Sequence, residues 1–356
     1  MTHVFVAPHP DDVALSCGGL IANLRELGHN VTIVTVFSGT GETGSLTGYQ
    51  REALGFGSKA VWPNTEAFNR ANVGNDHASV LDGGFAPWLA TEDRLAATQA
   101  AADASARRFW QRASWYRRAD IHAGPGTGPD DVAQQGAVLT DELVAARMAG
   151  DVMASRRLED ERFAAFAEAS IVFLDLPDAV FRGYEGDGQL LGAVRSDDPA
   201  PVEVLRTEIA RLEPQKVYFP LGIGGHVDHQ LMRQVGVALL AEDPDWIMPG
   251  PRYAGAVTFY EDFPYAWWSD FARLENLPAG ALAGIPSDVA LTPKYAATSD
   301  VVERKIRGIA LYESQMERLF AGVDAMGDAV RAQADRIGRL GGVPGGAERY
   351  WATSLL

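Results

Sequence analysis

The stretch VFVAPHPDDVALSCGGLIANL, residues 4–24, decides the fold. Four apolar or small residues run straight into His9, Pro10, Asp11 and Asp12, after which apolar residues recur at helical spacing from Val13 to Leu27, with Gly28 as the stop signal. The next run, VTIVTVF at 31–37, is β-branched without alternation, as expected of a strand buried on both faces. A strand, a helix and a second buried strand within forty residues form a β-α-β unit, which implies a parallel sheet covered by helices. In such sheets functional groups gather beyond the carboxyl ends of the strands. His9, Asp11 and Asp12 lie just past the first strand, where two adjacent carboxylates and an imidazole need an explanation.

Working outward, the same alternation returns with SIVFLDL (170–176), a helix over 202–212, KVYFPL (216–221), a further helix near His229 and RYAGAVTFYED (252–262). Charged helices are expected over about 299–340. Residues from about 55 to 150 mix Gly, Asn, aromatic and Ala-rich tracts, including RRFWQRASWYRR at 107–118, and read as a large insertion. The expected fold class is α/β: a single domain over 1–356 with a Rossmann-like, mostly parallel sheet, helices on both faces and that insertion.

Composition narrows the chemistry. At 356 residues and 47% hydrophobic content the chain can bury a large core. Its net charge of −16 repels phosphate backbones and anionic bilayers, so neither nucleic acid nor membrane is an expected partner. A homo-oligomer is compatible with the sequence. Cys17 is the single cysteine, which excludes an internal disulfide and cysteine-based zinc clusters; any metal must be held by His, Asp or Glu. The N-terminus has no basic, then apolar, leader pattern and the chain has no run of about 18 apolar residues, so a cytoplasmic protein is expected.

A second cluster follows another strand in KVYFPLGIGGHVDHQ (216–230), where His226 and His229 are three residues apart. If a helix starts near Val227 they share a face. Two strand ends would then bring His9, Asp12, His226 and His229 to one pocket. Neutral imidazole with carboxylate is a normal ligand set for zinc, and three protein ligands with an open position is the catalytic arrangement. Other readings stay open at this level. Either aspartate alone could cap the following helix. Acidic residues after a first strand also hold magnesium in phosphoryl-accepting receiver modules, which leaves the histidines unexplained. A His/Asp/His set also resembles the facial triad of non-haem iron oxygenases, whose scaffold is β-rich.

The paired motifs APHPDD (7–12) and GGHVDH (224–229) resemble the LmbE-like or PIG-L family of zinc-dependent N-acetylglucosamine deacetylases. SGTGETG (38–44), RRLEDERFAAF (156–166), LDLPDAVFRGY (174–184), YEDFPYA (260–266) and ERYW (348–351) follow in the family's order. Val13 departs from it, the family commonly having glutamate there. The resemblance implies that His9, Asp12 and His229 bind Zn2+, with Fe2+ as the alternative divalent ion. It implies Asp11 as general base, His226 as the group that stabilises charge on the tetrahedral intermediate, and Asp228 as the residue orienting His226. Asp178, Arg182 and Tyr184 are expected to line the substrate pocket. The implied reaction removes an N-acetyl group from a small-molecule amino sugar or its conjugate and releases acetate. An amidase acting on another sugar-linked amide or thiol conjugate, and a degenerate member that only binds sugar, are the alternatives. Such chemistry suits the residues: an amide is a poor electrophile and water a poor nucleophile, so a metal together with an adjacent carboxylate base helps both. Arg156 and Glu159, at i,i+3 spacing, are expected to pair and hold their helix.

Overall fold

The computed structural model describes residues 1–40, 46–54, 119–121, 151–242, 256–269, 271–320 and 322–356. The first strand β1 (Thr2–Ala7) leads into helix α1 (Asp12–Glu26), strand β2 (Asn30–Thr35) and a short helix α2 (Gly48–Ala53). Strand β3 (Ala119–Ile121), helix α3 (Val152–Phe166), strand β4 (Ser170–Phe173) and the single turn α4 (Asp187–Leu190) follow. Helix α5 (Val202–Leu212), strand β5 (Lys216–Pro220), helix α6 (Val227–Glu242), strand β6 (Ala256–Tyr260) and the turn α7 (Tyr265–Trp268) continue the alternation. The C-terminal part comprises strand β7 (Val289–Ala297), helices α8 (Val302–Ile309), α9 (Glu313–Phe320) and α10 (Val323–Gly341), and strand β8 (Ala347–Leu355).

The eight strands among the described residues join one sheet in the order β3-β4-β2-β1-β5-β6-β8-β7. Its centre, β4-β2-β1-β5-β6, is parallel throughout. The unbroken apolar run of β1 follows from burial on both faces. Val4 and Val6 pack on one side with Val34, Val172 and Phe219, whereas Phe5 and Ala7 pack on the other with Ile33, Ile171 and Tyr218. Each side chain of this kind stabilises the fold by roughly 1.5–3 kcal/mol on burial. The chain leaves β1 to reach β2 on one side, and β5 pairs with β1 on the other, so the order reverses between β1 and β5. That reversal opens a crevice at the carboxyl ends of the two strands. The motifs APHPDD and GGHVDH both emerge there.

The α/β class and the parallel central sheet agree with the expectation. The structure adds two things at the edges. β8 inserts between β6 and β7, antiparallel to both, so the C-terminus closes the sheet after the expected helices α8–α10. β2 is shorter than the VTIVTVF run: the N–H groups of Val36 and Phe37 bond Ala7 O and Pro8 O at 2.9 and 2.8 Å, fastening the chain to the end of β1 beside His9. The expected insertion over 55–150 lies outside the described residues except for β3, which pairs antiparallel with β4 at the sheet edge. Among the described residues no helix is long and apolar enough to cross a membrane.

Candidate active site at the switch point

The backbone makes an unusual turn where β1 ends. Asp11 precedes α1 in the N-cap position, yet its φ is 109° and its side chain makes no capping hydrogen bond. A positive φ is disfavoured for a residue with a Cβ, and capping, the bland use of an aspartate here, does not account for Asp11. Its carboxylate lies 3.8 Å from the Arg156 guanidinium. Arg156 also donates to Pro10 O at 3.1 Å and lies 3.9 Å from Asp178. Arg156 therefore reaches from α3 into the site, beyond the helix-holding role expected from its spacing. Glu159 accepts from the backbone N–H and hydroxyl of Ser314 at the start of α9.

Asp12 is the convergence point. Its Oδ2 accepts from the His9 backbone N–H at 2.7 Å and faces His9 Nδ1 at 3.1 Å and His229 Nε2 at 3.3 Å. The second nitrogen of each of these rings also meets a carboxylate. His9 Nε2 is 2.9 Å from Asp228 Oδ2, and His229 Nδ1 is 2.6 Å from Asp262 Oδ1. Asp262 further accepts the N–H groups of Gly222 and Ile223 at 2.7 and 2.9 Å, so one carboxylate at the end of β6 fixes both the loop after β5 and the ring of His229.

Electrostatics follow from this packing. Burial lowers the His9 pKa, but the hydrogen bonds with Asp12 and Asp228 outweigh it and bring it to about 9. Burial opposes the charge of His229 too, and Asp12 and Asp262 together raise its pKa above the usual range. Asp12 is held below the normal carboxylate range against its burial by His229 and His9. Asp11 moves the other way, to about 8, because it is buried and stands beside the Asp12 charge. A cation at Asp12 would draw that value down again.

His226 sits edge-on to His9 with ring centroids 4.7 Å apart and lies 5.2 Å from His229. Burial and the neighbouring His9 depress its pKa, so the ring is neutral. The backbone N–H of Asp228 donates to His226 Nδ1 at 3.2 Å, which leaves the proton on Nε2. A neutral His226 thus remains a donor. Asp228 touches His226 through this backbone N–H. Its carboxylate is spent on His9, on the Ala179 N–H at 3.1 Å and on the Arg182 guanidinium.

The pocket at this crevice is lined by His9, Asp11, Asp12, Arg156, Asp178, His226 and Tyr265, with Gln315, Arg318 and Leu319 from α9. Of the three expected substrate residues only Asp178 faces it. Its Oδ1 caps the short turn at Val180 and its Oδ2 lies 3.7 Å from His9 Nε2. Arg182 and Tyr184 are corrections. Arg182 grips Asp198 at 3.0–3.2 Å, bonds Asp228 and lies 4.5 Å over the ring of Phe37, while the Tyr184 hydroxyl donates to Asp198 at 3.0 Å. Both side chains turn inward because the buried carboxylates of Asp198 and Asp228 need partners. Asp262 lies in the YEDFPYA motif (260–266), but its role behind His229, like the α9 wall, arises only when segments far apart in sequence become neighbours.

The donor set fits a divalent cation. His9, His226 and His229 offer ring nitrogens within 4.8 Å of one another, as do the ligand atoms of His9, Asp178 and Asp228. Imidazoles whose other nitrogen is backed by a carboxylate are the usual form of a metal-ligating histidine.

Residues 4–82 match the PIG-L family model, described as GlcNAc-PI de-N-acetylase. The chain is 31% identical over 179 residues to the 2'-N-acetylparomamine deacetylase of Streptomyces fradiae, a match covering 48% of this chain and 57% of that protein, a little over half its length. Its fold is similar to that of teicoplanin deacetylase Orf2 in its zinc-inhibited form (TM-score 0.54, 18% identity, 100% of this chain and 99% of that one). It is equally similar to a deacetylase–teicoplanin complex (TM-score 0.55, 18% identity, with the same coverage).

Proposed function

We propose that this chain is a metal-dependent hydrolase that removes the N-acetyl group from an N-acetylglucosamine-type amino sugar or its conjugate in the cytoplasm. The observation that carries the reading is the convergence of His9, Asp12 and His229 beside Asp11, a carboxylate held in the pocket by an unfavourable backbone angle and not spent on capping. The deacetylase activity named for the Streptomyces fradiae relative supports it.

His9 Nδ1, Asp12 Oδ2 and His229 Nε2 would hold the ion, zinc or Fe2+. Asp228 and Asp262 fix the two ring tautomers from behind. When bound, the metal supplies a lowered water pKa and a polarised acyl carbonyl. Asp11 takes the proton of the attacking water as its oxygen bonds the carbonyl carbon. His226 Nε2–H donates to the carbonyl oxygen as that oxygen gains charge. The C–N bond then breaks and Asp11 returns the proton to the leaving amine, giving acetate and a free amino sugar. Arg156, 3.8 Å from Asp11, favours its ionised form and holds it in place.

The direct test is acetate release from a panel of N-acetylglucosamine conjugates by protein reconstituted separately with Zn2+ and Fe2+. Release from at least one conjugate, abolished by chelation and restored by metal, is expected. Metal-replete, folded protein that frees no acetate across the panel would remove the reading. A further expected result concerns Asp262. Asp262→Asn should weaken metal affinity about 10–100-fold, the usual effect of losing a carboxylate behind a ligating histidine. Competition with a chromogenic chelator measures it, and an unchanged affinity would mean that Asp262 serves only the 222–223 loop.

A further inference from the structure

Tyr265 opens α7 just beyond Asp262, and its position is tightly set. Its ring stands edge-on to His229 with centroids 5.5 Å apart and an interplanar angle of 81°, and edge-on to Trp268 at 5.6 Å. It also fills the space above Gly224. A Cβ on that residue, whose φ is +90°, would lie 2.5 Å from the tyrosine ring, so the glycine is what allows the ring to sit there. Although the ring is wedged on these sides, the residue is only half-buried and lines the pocket. Its phenol makes no hydrogen bond among the described residues. A rigid aromatic side chain that presents an unspent hydrogen-bonding group to a cavity is arranged to meet a ligand.

Its place relative to the histidines narrows which part of the ligand it meets. The Tyr265 ring packs edge-on against His229, whereas the rings of His9 and His226 pack against each other. The reacting amide has to lie among Asp11, His226 and the ligand atoms. Tyr265 lines the same pocket as Asp11 and His226, next to Arg318 and Leu319 of α9.

We propose that Tyr265 is a specificity-determining residue whose Oη hydrogen-bonds a hydroxyl of the sugar ring, holding the sugar while the acetamide reacts elsewhere in the pocket. This inference rests on the amino-sugar reading above. The test is Tyr265→Phe, which keeps the ring packing on Gly224 and His229 and removes only the hydroxyl. With metal-replete protein and the best conjugate of the panel, KM is expected to rise roughly tenfold, the size of one hydrogen bond, with kcat within about twofold. Glucosamine, the deacetylated probe, should bind more weakly by a similar factor in calorimetry, a readout independent of turnover. Unchanged KM and unchanged glucosamine affinity would overturn the inference, and so would a loss confined to kcat, which would assign the phenol to the chemical step. A wild-type protein that turns over the conjugates while Tyr265→Phe matches it sinks this inference alone. A wild type that neither releases acetate nor binds glucosamine sinks the amino-sugar reading with it.

Discussion

Metal content is expected to fall from about one ion per chain to a small residual fraction in His229→Ala. The residue is 2% exposed, and its ring bridges Asp12 and Asp262. Removing the imidazole takes away a ligand nitrogen and leaves two buried carboxylates facing each other across a gap. Repulsion between them does not substitute for a third ligand, because the remaining His9 and Asp12 come from one strand end and close only one side of the ion. Elemental analysis of folded protein, with circular dichroism as the control for folding, decides the matter. Full occupancy after the substitution would show that the ion, if any, is held elsewhere, the His9, Asp178 and Asp228 group being the obvious site. Activity should disappear together with the metal.

The second large effect separates the two adjacent aspartates. Asp11→Asn should retain metal and lower turnover at least about a hundredfold, the lower end of what a general base contributes. Asparagine is nearly isosteric and keeps the neighbours in place, but it cannot accept the water proton. Asp12→Asn should instead weaken metal binding, because Asp12 Oδ2 is the atom on which His9 and His229 converge. Paired measurements of metal content and kcat on the two variants assign the roles, and the reverse pattern would exchange them.

Much of this was legible in the sequence, for identifiable reasons. β1 and α1 fall within a residue of where VFVA and the helical spacing place them, since local periodicity alone specifies a buried strand and an amphipathic helix. The two motif clusters meet because the parallel topology leaves one crevice for them. What could not be read depends on contacts across the fold. The hydrogen bond between His9 and Asp228 joins residues 219 apart in the chain, so nothing local assigns that carboxylate to His9 and not to its near neighbour His226. Arg182 and Tyr184 belong to a motif near the site, but the buried carboxylate of Asp198, from a different loop, turns both away from the pocket. β8 shows strand-like residues in ERYW, yet its partners β6 and β7 precede it by three helices or more, and pairing at that distance leaves no local signal. Asp11 was ambiguous between cap and base until its backbone angle and its missing cap bond were seen.

The position of the site between β1 and β5 also fixes when it can exist. The ring of His229 and the carboxylate of Asp262 that steadies it are made more than 200 residues after His9 and Asp12, and β5 cannot dock beside β1 until it has been made. Until β5 and β6 are made, a nascent chain would carry only the His9 and Asp12 half of the proposed ligand set. An ion held by the proposed ligands would gain full coordination only once β5 lies beside β1, and its binding would close a very long loop, where loop-closure entropy is largest. Metal supply during growth would then govern how much of this protein accumulates in folded form, as well as how active each molecule is.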